Sequence, residues 1–297
     1  MNLIIPGTVP HEKRAMYEKN YRAITKNTDR LLLFAADQKM EHLNDDFYDG
    51  MLAPEINNPE HLFAIAEQSN IGAFATHLGL ISRYGSLYPT INYIVKLNGK
   101  TNLGDGDPYS AQLWSVAEAC DLARMAHLNV CGIGYTVYPG SEHEQTMLTQ
   151  AAHIIHDAHE QGLLAFLWIY PRGHAVKNPS DPHLIAGAAG LGASLGADFI
   201  KIQAPNADVQ TLQEAVAAAG LSRVIVSGGV AMEPQEYLRQ AYAQLHDGKV
   251  AGLAVGRNIF QHEKAVAIKC ANALSMLVYG NATLEEALDY CGPKSKL

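Results

Sequence analysis

Lys201 lies in the run "ADFIKIQ" (197–203), where Phe199, Ile200 and Ile202 otherwise read as a buried strand. An ammonium in apolar surroundings costs free energy unless it is paired or loses its proton. An ordinary lysine has a pKa near 10.4, so only about one in 10³ is neutral at pH 7. Desolvation and a second cation both lower that value, freeing the amine to attack a carbonyl and form an imine. Lys96, in "INYIVKLN" (91–98), supplies a candidate second cation and is equally a candidate nucleophile; spacing does not choose between them. A structural ion pair or snorkelling to a rim accounts for a single buried lysine just as readily.

Other polar residues stand at the ends of similar runs. "LLAFLWIYP" (163–171) closes with Trp168 and Tyr170, which share a strand face because side chains alternate. Beside a lysine, a phenol serves as general acid or base, although tyrosines at strand ends also pack with the hydroxyl reaching water. Trp168 reads as wall. Asp37 ends "RLLLFAAD" (30–37) and is followed by "QKMEH"; pairing with a lysine is the usual fate of such a carboxylate. Two further runs end in "SGGV" (227–230) and "GRN" (256–258). Glycines there let backbone N–H groups approach an anion, and Arg257 adds a forked donor pair. Ser227, Gly228, Gly229, Gly256 and Arg257 are therefore the candidate phosphate contacts.

Positioning these groups together requires a repeated strand–helix plan. Eight apolar runs, at 30–37, 71–77, 91–98, 129–138, 163–171, 197–203, 222–229 and 250–256, alternate for the most part with helical patterns. Near-continuous apolar strands between helices imply parallel strands buried on both faces. Eight such units close a TIM (β/α)8 barrel, in which chemistry gathers at the C-terminal strand ends and phosphate sits at loops seven and eight. An open doubly wound sheet is the alternative. The interval 78–90, "LGLISRYGSLYPT", is too short and glycine-broken to read as a helix. The expected organisation is an N-terminal helical extension (1–29), the barrel (30–280) and a C-terminal tail (281–297), with no linker that splits the chain.

Composition narrows the function. The 297 residues are 48% hydrophobic and 18% charged, enough for a large core. A net charge of -8 gives no general attraction to nucleic acid. The longest apolar run is too short for a bilayer, and no leader pattern opens the chain, so the reading is cytoplasmic. Four scattered cysteines form no CxxC pair and suit reduced thiols. His153, His156 and His159 in "HIIHDAH" lack metalloprotease spacing and spread around the helix. "GDGDP" is too short for a calcium loop, and "GLGASLG" follows no strand, so its glycines read as helix packing. No metal and no cofactor is expected.

The segments "DQKMEH", "VKLNGKTNL", "GYTVYPGS", "WIYPRGHAVKNPSDPHLIAGAAGLGASLGADFIKI", "VSGG" and "GLAVGRNIFQ" resemble the archaeal-type class I fructose-bisphosphate aldolases of the DeoC/FbaB superfamily, over about residues 30–262. The resemblance implies a TIM barrel and metal-free Schiff-base cleavage of a phosphorylated ketose. The implied reaction, part of glycolysis and gluconeogenesis, takes fructose 1,6-bisphosphate to dihydroxyacetone phosphate and glyceraldehyde 3-phosphate. It assigns the imine to Lys201, proton transfer to Tyr170, substrate contact to Asp37 and Trp168, and phosphate to the two glycine loops; Lys96 is left an auxiliary role. It also implies a homo-oligomer, often a decamer. One departure is local: family members often have Asp-His-Gly where this chain has Asp37-Gln38-Lys39. Related lyases and synthases on other sugar phosphates, a metal-dependent lyase, and a phosphosugar-binding protein without catalysis are the competing expectations.

Overall fold

The computed structural model describes residues 3–203, 208–280 and 282–292. β1 (Leu31–Ala35), β2 (Ala73–His77), β3 (Asn92–Lys96), β4 (Asn129–Val137), β5 (Leu164–Ile169), β6 (Phe199–Ile202), β7 (Arg223–Ser227) and β8 (Gly252–Val255) pair in parallel, and β8 returns to β1 to close a barrel. The fold is a TIM barrel, as the alternation of apolar runs and helical patterns predicts.

Side-chain alternation sorts each strand between two cores. Leu32, Phe34, Ile200 and Val226 point outward to the helices, whereas Leu31, Leu33, Phe166, Phe199 and Ile225 fill the barrel interior. Phe166 and Phe199 stack at 4.8 Å between ring centroids. Burying an aromatic of that size contributes roughly 2–3 kcal/mol.

The covering helices are α1 (Arg14–Thr25), α2 (Gln38–Glu41), α3 (Glu60–Gln68), α4 (Leu78–Tyr84), α5 (Val116–Ala126) and α6 (Glu144–Glu160), then α7 (Pro182–Ser194), α8 (Val209–Ala219), α9 (Pro234–His246), α10 (Arg257–Phe260), α11 (Lys264–Tyr279) and α12 (Leu284–Cys291). α4 corrects the expectation for 78–90. It forms because Ile81 is fully buried and Tyr84 packs on Phe63, and the chain then tightens through a 3₁₀ turn at Gly85–Leu87. Gly85 ends that helix where a Cβ would meet Leu128 at 2.7 Å, so the glycine marks close packing rather than a break.

α1 buries Tyr17, Asn20, Tyr21, Ile24 and Thr25, one stripe at helical spacing, beneath the barrel. Tyr21 stacks on Phe199 from below, and the Tyr17 hydroxyl donates to Asp198. Asp198 also accepts from the backbone N–H of Ala165 (2.7 Å) and faces His159 Nε2 (3.1 Å), whose Nδ1 meets Thr8 Oγ1 at 2.6 Å. This buried polar knot ties the N-terminal segment to the bottom of the barrel. At the other end of the chain, α12 opens with a Thr283/Glu286 capping box and packs against α11 and α9. Residues 281 and 293–297 of the expected tail, and 1–2 of the expected extension, lie outside the described residues. Among the described residues no helix is long and apolar enough to cross a membrane.

Candidate active site

Strand register decides which side chains meet. Thr136, Trp168, Lys201 and Ile225 occupy one level across β4 to β7, and His77, Lys96 and Gly134 one level across β2 to β4. Both lysines therefore enter the upper barrel beside the Trp168 indole, with Nζ 5.3 Å (Lys201) and 5.5 Å (Lys96) from its centroid. Gly134 makes room for that ring: a Cβ there would lie 2.4 Å from it.

The two lysines differ in how their amines are held. Lys96 Nζ donates to Asn98 Oδ1 (2.8 Å) and to the Asn98 carbonyl (3.1 Å). Asn98 is itself fixed by donating to the carbonyls of Ser110 and Thr136 and accepting from the Thr136 N–H. Lys201 is 5% exposed and lines an open cleft, and its amine makes no hydrogen bond or ion pair within 4.0 Å among the described residues. Burial lowers its pKa, with Asp37 and Glu41 pulling the other way and Arg257 adding to the fall. Burial likewise brings Lys96 down to about 8, against the attraction of Asp37 and Glu41.

Asp37, just past β1, is half-buried. Burial works to raise its pKa, but the charges of Lys201 and then Lys96 prevail and hold the carboxyl below its ordinary value. The Tyr170 phenol is raised well above its usual value, by burial first and Asp37 second, so it keeps its proton at neutral pH. Arg172 lies 5.3 Å over the Tyr170 ring and 5.9 Å over Tyr138, and partly offsets that rise. Tyr138 donates to Glu41 at 3.1 Å, closing the rim between α2 and β4.

The opposite wall is backbone. Gly229 has φ +69°, a left-handed conformation that glycine adopts without strain. Asn258 holds the whole β7 loop: its Nδ2 donates to the Gly228 (2.8 Å) and Val230 (2.9 Å) carbonyls, and its Oδ1 accepts from the Met232 N–H (2.9 Å). Arg257 leans on Asp46 at 3.6 Å, and Asp46 is paired with His42 at 2.6 Å. An arginine, a serine and two glycine turns thus face a buried lysine across an open cleft.

Nine of the ten expected residues line this cleft: Asp37, Trp168, Tyr170, Lys201, Ser227, Gly228, Gly229, Gly256 and Arg257. Lys96 stands behind Trp168. Sequence reasoning assigned nothing to Gln38, Glu41, Thr136, Arg172 and Gln203, which also line it, nor to Asn98, which holds the Lys96 amine, nor to His77, whose Nε2 meets the Asn98 carbonyl at 3.2 Å. Asn98 was findable, two positions after Lys96 on the same face; His77 was not, because a strand-end histidine has no spacing signal. His77 is buried and brought down to about 4, by burial first and Lys96 second, so it is neutral. Lys39 faces away from the chemistry: its Nζ donates to Asn44 Oδ1 (2.9 Å) and the Asn57 carbonyl (3.0 Å) and lies 4.1 Å over the Phe47 ring. Of the helical histidines, His159 belongs to the lower knot. His156 stands with Asp157 and Glu160 in an exposed group on α6, and none of the three lines the cleft.

A family model described as DeoC/LacD family aldolase matches residues 31–262. The chain is 47% identical over 287 residues, 96% of its own length and 93% of the relative's, to a fructose-bisphosphate aldolase/6-deoxy-5-ketofructose 1-phosphate synthase of Methanocaldococcus jannaschii. Among solved structures it resembles a fructose-bisphosphate aldolase from Slackia heliotrinireducens (TM-score 0.94, 43% identity, 98% of this chain and 94% of that one). It also resembles an archaeal fructose-1,6-bisphosphate aldolase whose catalytic lysine is covalently bound to the carbinolamine intermediate of the substrate (TM-score 0.79, 34% identity, 89% and 100%).

Proposed function

The chain belongs to the DeoC/LacD family of aldolases, and from that footing we propose that it is a Schiff-base (class I) lyase that cleaves and forms fructose 1,6-bisphosphate, with Lys201 as the imine former. The observation that carries the assignment is the contrast between the two lysines. Lys96 is tied to Asn98, whereas the Lys201 amine lines the cleft unbonded, between an ionised carboxylate, a protonated phenol and two glycine loops.

Neutral Lys201 attacks the ketose carbonyl, and the resulting carbinolamine loses water to give a protonated imine. That cation accepts the electron pair of the breaking C–C bond as the hydroxyl of the departing fragment gives up its proton and becomes an aldehyde. Asp37, held ionised, orients the hydroxyls, and protonated Tyr170 delivers and recovers the proton that the carbinolamine and enamine steps need. Ser227, Gly228, Gly229, Gly256 and Arg257 hold a phosphate, and Trp168 and Lys96 shape the wall behind the reacting carbon. The iminium acts as electron sink, so no metal or cofactor has a part in the reaction as derived.

Treatment with borohydride and fructose 1,6-bisphosphate should fix a mass adduct at Lys201, and a chelator should leave turnover unchanged. An adduct on Lys96 instead, or activity that dies with chelator, would defeat the assignment. The double name of the Methanocaldococcus jannaschii relative favours a second use of the same imine, 6-deoxy-5-ketofructose 1-phosphate synthesis, which a panel of acceptor aldehydes separates. A cytoplasmic site of action and a homo-oligomer, a decamer by family resemblance, complete the reading. Light scattering tests the oligomer, to which the exposed Met51, Met125 and Leu221 lend apolar surface.

A further inference from the structure

We infer that Cys270 and Cys291 are a peroxide-reactive pair outside the cleft, which a hydroperoxide converts to a disulfide that fastens α12 to α11. The end of α12 lies along α11. The Asn272 amide donates to the Tyr290 hydroxyl at 3.5 Å, and a Cβ on Gly292 would stand 3.7 Å from Lys269 Nζ. From the other side, Gln235 of α9 donates to the Gly292 carbonyl at 2.8 Å. Between these contacts the two thiols meet, and the Cys270 S–H donates to the Cys291 sulfur. Cys270 is 3% exposed, whereas Cys291 is partly open to solvent.

The two thiols suit different steps. The hydrogen bond from Cys270, and after it the Lys269 ammonium, bring Cys291 down to about 7 against burial and Glu233, so a large share is thiolate at neutral pH. The same bond and then burial raise the Cys270 thiol, which keeps its proton through the first step. In that step the Cys291 thiolate attacks one oxygen of a hydroperoxide and the O–O bond breaks. An alcohol or water leaves, and Cys291 carries a sulfenic acid. The Cys270 sulfur then attacks that sulfur, the S–O bond breaks, water departs with the Cys270 proton, and the S–S bond forms. Two thiols are oxidised to one disulfide, and one hydroperoxide is reduced. The other two cysteines are poorly suited to the first step. Burial pushes Cys131 up to about 12 and also raises the Cys120 thiol. The link joins residues 270 and 291, and tying points so far apart in the chain restrains the unfolded state.

The test treats the full chain with hydrogen peroxide at neutral pH, labels thiols with maleimide after denaturation, and reads intact mass. Oxidised protein should take up two labels fewer than its four cysteines allow, and its halves should stay joined after proteolysis at Glu286. In the native protein, maleimide should modify Cys291 about tenfold faster than Cys120, or more. Cys270→Ser should halt at the sulfenic acid, which dimedone captures on Cys291; Cys291→Ser should leave Cys270 unreacted. The linked protein should melt about 5 °C higher, and dithiothreitol should reverse the gain. Retention of all four labels, a link to another cysteine, dimedone capture on Cys270, or an unchanged Tm each overturns the proposal. The wild-type mass decides the matter even should a variant not fold. Neither cysteine lines the cleft, so these results stand apart from the aldolase reading.

Discussion

A buried amine and a half-buried carboxylate shift each other's charge in this site, and single substitutions separate their effects. Lys201→Met should end borohydride trapping and lower kcat by about 10³-fold or more, since nothing else in the cleft carries a free amine. The rate of imine formation should rise with pH as the amine loses its proton. Its inflection should fall below the ordinary lysine value near 10.4, because burial disfavours the ammonium. Asp37 is the largest attraction holding that proton. Asp37→Asn should therefore move the inflection to still lower pH while reducing kcat by about 10²-fold, a combination that simple disruption of the fold would not produce. Lys96 makes a pH-dependent contribution to stability. Its folded value, about 8, lies below the unfolded lysine value, so the unfolded chain binds more protons between those two values. Wild type should gain stability relative to Lys96→Met as pH rises through that window, and lie on a level offset below it, in denaturant titrations.

Short elements fix the site through one or two packing decisions each. Asn258 gathers three backbone groups of the β7 loop, so Asn258→Ala leaves two carbonyls and an N–H unpaired at an estimated cost of about 1–3 kcal/mol. On the proposed reading that the loop holds phosphate and not the reacting carbon, the expected signature is a KM for the bisphosphate raised about tenfold with a smaller change in kcat. An equal fall in kcat with KM unchanged would place the loop's contribution elsewhere. On β4, Gly134→Ala would drive a methyl into the Trp168 ring, which has no space to retreat between the two lysines. Loss of tryptophan fluorescence anisotropy together with slower trapping would report the displaced wall. The two proposed phosphate loops stand out in the sequence as "SGG" and "GR", glycines at strand ends that serve either a tight turn or a close anion contact. Asn258, one residue beyond, carried no signal until its contacts were seen.

The barrel has two ends with opposite duties: a reactive upper mouth and a lower mouth sealed by the N-terminal segment. Asp198→Ala would strip the acceptor from Tyr17, His159 and the Ala165 N–H, at a cost of about 3 kcal/mol and several degrees in Tm. Turnover below the transition should be unchanged, as the substitution lies at the other end of β6 from Lys201; a specific loss of kcat would show that the ends are coupled. By itself the sequence determined parallel strands buried on both faces, which a closed barrel or an open doubly wound sheet satisfies; the return of β8 to β1 is decided by the tertiary structure. It also determined that Lys201, Tyr170, Asp37 and the two glycine loops belong at one end, because strand direction alone fixes that. What the tertiary structure adds is how differently the two lysine amines are held. Both sit in apolar strands, and the hydrogen bonds show Asn98 occupying the Lys96 amine while the Lys201 amine has no hydrogen bond among the described residues. Asn98 lies two positions from Lys96, but the Ser110 and Thr136 backbone groups that fix it come from other elements, and no local pattern encodes them.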